Sequence, residues 1–138
     1  MVATRFAVAV HILLLLAIEQ SGQATSARIA ASVNTNPVVI RRIAGRLARA
    51  GLIRVRRGPG GAELARPPES ITLGEVWRAI HPADTPLLSM HRPNPEDPIG
   101  RRVPDMIGPA FRAAERALTD SLSSTTLASL LARAEAPH

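Results

Sequence analysis

All 17 basic residues of this 138-residue chain are arginine, and nine of them fall between positions 28 and 66: Arg28, Arg41, Arg42, Arg46, Arg49, Arg54, Arg56, Arg57 and Arg66. A single acid, Glu63, shares that stretch, so nine charges against one give it +8; the whole chain is +6, and the remainder is therefore −2. A guanidinium is always charged and presents a planar fork of donors that matches a phosphate. The chemistry implied is electrostatic capture of a polyanion. No nucleophile, base and orienting group stand at a recognisable catalytic spacing, which ranks a small hydrolase behind nucleic-acid binding and protein-partner binding.

The elements that must position these arginines are legible around them. Asn34-Thr35-Asn36 is a polar turn, Pro37 suits a first helical position because its φ is already helical, Asn36 is the expected N-cap, and Gly51 marks the stop. The spacing predicts a helix over 37–50 with Ile40, Ile43, Ala44 and Leu47 on one face and Val38, Arg42, Gly45, Arg46 and Arg49 on the other. One face packs and the other is cationic. Before it, Thr25 or Ser26 caps a shorter helix with Ile29, Ala30 and Val33 inward, and Arg28 stands where a capping-box glutamate would, placing a cation near the phosphate path. After it, Arg54-Val55-Arg56-Arg57 runs into Gly58-Pro59-Gly60-Gly61, a turn that predicts a β-hairpin over 53–64 with Arg57 at its tip. Helix, turn, helix and hairpin in that order read as a winged helix-turn-helix. A solvated basic helix face would account for the charge alone, but it leaves the hairpin unexplained. An arginine on a thin tip suits a narrow minor groove, where the potential is most negative.

The residues 33–42 (VNTNPVVIRR), Ala50-Gly51-Leu52, Arg57-Gly58-Pro59-Gly60-Gly61 and Leu73-Gly74-Glu75-Val76 together resemble the Rrf2 family of bacterial winged helix-turn-helix transcriptional regulators, the group of IscR and CymR. The resemblance spans nearly the whole chain and is densest over 29–75. It implies a homodimeric repressor with its recognition helix in the major groove and a wing arginine in the minor groove. Carried over by position, Asn36, Val38 and Arg41 are base-reading candidates and Arg57 the groove-inserting residue. Val38 favours contact with a thymine methyl over a hydrogen bond. The full set of candidate DNA contacts is Thr35, Asn36, Val38, Arg41, Arg42, Arg46, Arg49, Arg56, Arg57, Gly58 and Gly60.

The rest of the chain supplies cover and assembly. Two Phe, one Trp and no Tyr make the core aliphatic, and 138 residues suffice for one compact domain with an appendage. Residues 6–18 (FAVAVHILLLLAI) sketch a signal peptide after Arg5, but the run is too short to span a bilayer and contains His11. A winged-helix unit also needs a first helix over its core, so residues 3–20 are read as that helix and the protein as cytoplasmic, with no membrane partner. Thr72 to Glu75 is a capping box for a short helix with Val76, Trp77 and Ile80 inward; Trp77 is read as core near a hinge, with ligand stacking the alternative. Helical period returns at Arg101, with Ile107, Phe111, Ala114, Leu118 and Leu122 on one face; Pro104 and Gly108-Pro109 place its start near Pro109 or a kink there. Ser124-Thr125-Thr126 caps a last helix carrying Leu127, Leu130 and Leu131. The expected organisation is mainly α with a small hairpin wing: a DNA-binding domain over 1–80, a loop over 81–100, and a dimerisation helix with a C-terminal helix over 101–138.

The proline-rich loop 81–100 is where the resemblance places cluster-ligating cysteines. This chain has no cysteine, which removes disulfides, thiol redox sensing and thiolate-held clusters together. Asp97 takes the cysteine's place before Pro98-Ile99-Gly100, and Asp84, Glu96, His81 and His91 match no standard metal spacing, so no cofactor and no metal are expected. The loop and the helix after it are either the seat of a small-molecule or protein effector or a mere spacer. The leading expectation is a sequence-specific, double-stranded-DNA-binding regulator, a homodimer on a pseudo-palindromic operator, and not an enzyme; a winged-helix protein-interaction adaptor is the alternative.

Overall fold

The computed structural model describes residues 2–19, 24–56, 61–81 and 86–135. In chain order it contains helices α1 (Val2–Ile18), α2 (Ser26–Val33) and α3 (Pro37–Arg49), strands β1 (Ile53–Val55) and β2 (Ala62–Leu64), then α4 (Leu73–Ile80), α5 (Val103–Leu122) and α6 (Leu127–Glu135). The architecture is mostly helical with one small antiparallel hairpin, in which Ile53 faces Leu64, Arg54 faces Glu63 and Val55 faces Ala62.

Helix α1 is the spine of the core. Its Ile12 and Leu13 have no exposed surface, and they share a cluster with Ile29 of α2, Ile40, Ile43 and Leu47 of α3, Val76 of α4 and Leu127 of α6. Full burial of an aliphatic side chain of this size is worth roughly 1.5–3 kcal/mol. The apolar run 6–18 therefore does the work of a first helix, which ends at Ile18, slightly before the expected 20. His11 Nε2 lies 2.9 Å from Ser32 Oγ and ties α1 to α2.

Local caps fix the other helices. The Thr25 hydroxyl accepts from the Arg28 amide at 3.2 Å, and Asn34 takes the left-handed conformation (φ 66°) that lets the chain leave α2. Thr72 and Glu75 close a reciprocal capping box on α4. Glu75 does more than cap: its carboxylate also takes the fork of Arg66, at 2.5 and 3.0 Å, which ties the chain leaving the wing to the start of α4. That hydrogen-bonded arginine, aided by the Thr72 amide, holds the Glu75 carboxyl below the usual carboxylate range.

Of the two expectations for α5, a start near Pro109 is not what the structure shows. It begins at Val103 and runs unbroken past Pro109, with Pro104 in its first turn. Pro104 deletes an amide that had no helical partner anyway. Pro109 is inside the helix, where it deletes one backbone amide donor and crowds the carbonyl four residues back; the preceding Gly108 lacks the Cβ that a proline ring would also meet. The chain just beyond α5 is anchored to the start of α4: the Leu73 amide donates to Thr125 O (2.8 Å) and the Leu127 amide to Ile71 O (3.0 Å). Gly74 makes this docking possible, because a Cβ there would sit 2.0 Å from Ser123 Oγ and 3.0 Å from Ser123 Cα. Gly74→Val is expected to lower the urea midpoint by an overpacking cost of about 1–3 kcal/mol. An unchanged midpoint would show that α4 and the end of α5 do not touch there.

Candidate nucleic-acid interface

Helix α3 is held by its inner face and its ends. Ile40, Ile43 and Leu47 are buried, the Asn36 side chain accepts from the Val39 amide at 3.0 Å, and Pro37 occupies the first turn. Gly51, at φ 78°, turns the chain out of the helix, and the Leu52 amide closes back onto Leu47 O. The outer face is left to solvent: Arg41, Arg42 and Arg49 are exposed, and Val38 is 55% exposed among them. Val38 thus stands half-exposed on the same face as the arginines.

The wing stands against this helix at a fixed distance. Between them lies a concave cleft whose walls carry Pro37, Arg41 and Arg49 from α3 and Val55, Arg56 and Gly61 from the wing. Two contacts set its width. The Ala62 amide donates to Ala24 O at 3.2 Å, and Gly61, at φ 69°, sits so close to the same carbonyl that a Cβ would come within 2.7 Å of it. The turn end of the hairpin is thus pinned to the entry of α2, a contact no local sequence signal announced. Glu63 holds Arg56 at 3.1 Å and Arg54 at 3.6 Å across the hairpin, so the lone acid of the basic stretch orients two of its cations.

Of the residues singled out in the sequence, Thr35, Asn36, Val38, Arg41, Arg42 and Arg49 lie along one end and one side of α3, and Arg56 faces them from the wing. Arg57, Gly58 and Gly60 lie outside the described residues. Two arginines are turned elsewhere. Arg28 pairs with Glu19 at 2.6 Å rather than standing open to a phosphate. Arg46 is half-buried, and its Nη1 donates to Ile80 O at 3.2 Å, capping the C-terminus of α4. Asn36 is also constrained: its side-chain oxygen is taken by the helix cap, which leaves its amide NH2 as the group able to reach a base acceptor.

Residues 2–133 match the Rrf2 family, described as iron-dependent transcriptional regulators. The chain belongs to the Rrf2 family. It is 37% identical over 127 residues to the HTH-type transcriptional regulator YwnA of Bacillus subtilis, covering 92% of this chain and 94% of that protein. Among solved structures it resembles a DNA-binding protein at 35% identity and TM-score 0.76, over 92% of this chain and 98% of the other. It also resembles a transcriptional regulator from Lactobacillus plantarum at 27% identity and TM-score 0.81, over 95% and 89% of the two chains. With that family and this cationic face, the Rrf2 protein is a DNA-binding transcriptional regulator.

The iron centre in the family's description does not fit this member's donor set. No cysteine exists to supply sulfur. Asp97 accepts the Gly100 amide at 2.6 Å and so starts the short turn Gly100–Arg102 ahead of α5. Among the described residues no three His, Cys, Asp or Glu side chains converge on a point.

The placements of Arg42 and Arg46 separate two roles that the sequence merges. Arg42→Ala is expected to reduce the salt dependence of DNA binding by about one phosphate contact, a slope change near 0.9, with little loss of stability. Arg46→Ala is expected to lower stability by about 1 kcal/mol, the net worth of a hydrogen bond, and to leave that slope unchanged. Matched salt titrations and thermal melts of the two variants check this; a reversed pattern would put Arg46 on the DNA and Arg42 off it.

Proposed function

We propose that this regulator is a homodimeric repressor reading a pseudo-palindromic operator, with α3 in the major groove and the wing in the adjacent minor groove. The observation that carries the reading is the split of α3 into a buried aliphatic face and an exposed face of Arg41, Arg42, Arg49 and Val38. Phosphate contacts by the arginines position the helix, and base edges then specify the sequence. The proposed contact set is Thr35, Asn36, Val38, Arg41, Arg42, Arg49, Arg56, Arg57, Gly58 and Gly60, with Val38 against a thymine methyl.

The proposed division of labour is DNA binding by residues 1–80, a connecting loop over 81–100, and dimerisation through α5. Met106 is 67% and Ile99 73% exposed near the start of that helix, as a surface meant for a second copy would be. A two-fold dimer presents its recognition helices to successive major grooves, so the half-sites lie about one helical turn apart. The protein acts in the cytoplasm, on the chromosome, and carries no catalytic function or resident cofactor. No described helix is long and apolar enough to cross a membrane.

Arg57 tests the wing. Arg57→Ala is expected to weaken operator binding roughly tenfold or more, as loss of a good arginine–base contact does, with an unchanged melting temperature. Equal operator affinity in parent and variant would remove the wing from the mechanism.

A further inference from the structure

Where α5 crosses the end of α4, a cleft of about 320 Å³ opens between the two helices and the loop segment at Leu87. Its wall is aromatic and aliphatic: Trp77 is stacked on His81 (ring centroids 4.9 Å apart, planes at 26°), with Leu87 and Leu118 beside them. Three guanidiniums, Arg78, Arg112 and Arg116, reach the same space against two carboxylates, Glu115 and Asp120. Glu115 is already engaged, since its Oε1 accepts the amides of both Leu87 and Leu88 and so pins the loop over the cleft. Among the described residues Arg112 and Arg116 are in no ion pair, whereas Arg78 lies in the field of the Glu75 carboxylate on its own helix.

An apolar wall beside unpaired guanidiniums is complementary to a small organic acid: the apolar body rests on Leu87, Leu118 and the exposed rim of the largely buried Trp77–His81 pair, and the carboxylate takes an arginine fork. The size is at the lower end of metabolite sites. We propose that this cleft binds a small monocarboxylate with a planar apolar body, and that its occupancy is read by the recognition helix. The route is short. His81 is one residue past Ile80, the residue whose carbonyl is gripped by Arg46 of α3, so a ligand that shifts the last turn of α4 bears directly on the helix that meets DNA. A ligand alters DNA affinity only through its different affinity for the two arrangements, typically by some 5- to 150-fold.

This inference rests on the DNA-binding reading for its consequence but not for its first test. Trp77 is the only tryptophan, so its fluorescence reports the cleft alone, without DNA. Titration with benzoate is expected to give a saturable change, with the neutral isostere benzamide and inorganic phosphate each binding at least about tenfold more weakly. In Arg112→Gln/Arg116→Gln, exposed positions that leave the fold intact by circular dichroism, benzoate should fall to the benzamide level. No saturable signal with benzoate up to about 10 mM, or equal binding of benzoate and benzamide, would overturn the site. Adding operator duplex then tests the coupling: benzoate should change operator affinity in the parent and not in the double variant. Saturation of Trp77 with unchanged operator affinity would overturn the link through Arg46, whereas absence of operator binding under all conditions would count against the DNA reading and leave the Trp77 result standing.

Discussion

The burial of Ile40, Ile43 and Leu47 on one side of α3 is the constraint on which the rest depends. Those three side chains are essentially removed from solvent, and they fix the rotation of the helix about its own axis. Because helical residues advance by 100° each, fixing the inner face also fixes where Val38, Arg42 and Arg49 stand. The aliphatic α1 exists in this fold to meet that inner face, and the pin between Ala62 and Ala24 then sets the wing at a definite distance from the outer one. Positive charge would draw any polyanion; in the proposed reading the cleft between α3 and the hairpin is what would turn attraction into registration on a duplex.

Much of this was legible because its signals are local. Asn36 with Pro37, Gly51, and the pair Thr72 and Glu75 each announce a helix end within four residues, and the structure places caps or turns at all three. The buried faces of α2, α3 and α4 followed from helical spacing in the same way. What escaped was non-local. Nothing near Arg46 says that it caps α4 34 residues later, nothing near Arg28 points to Glu19, and nothing near Arg66 says that its fork closes on Glu75. A sequence pattern counts arginines as equal, whereas the fold spends some of them on its own carbonyls and carboxylates. Of the two expectations for α5, a start near Pro109 gives way to a helix that begins at Val103 and holds Pro109 inside it, because one lost amide donor does not end a 20-residue helix.

The loop that leads into α5 is shaped by its own side chains. Asp97 and Gly100 form a hydrogen-bonded turn that delivers the chain into α5, a purely structural task. The junction between loop, α4 and α5 brings together arginines, an indole and an imidazole, and no cysteine.

The central claim is that α3 and the wing read a sequence rather than merely attract a polyanion. Selection of bound duplexes from a randomised pool by the full-length protein, at an ionic strength that suppresses non-specific phosphate contacts, tests it most directly. The account predicts enrichment of inverted half-sites whose centres lie about one helical turn, ~10 base pairs, apart. A pool that remains unenriched after repeated rounds, or that yields only single sites without inverted symmetry, would contradict it.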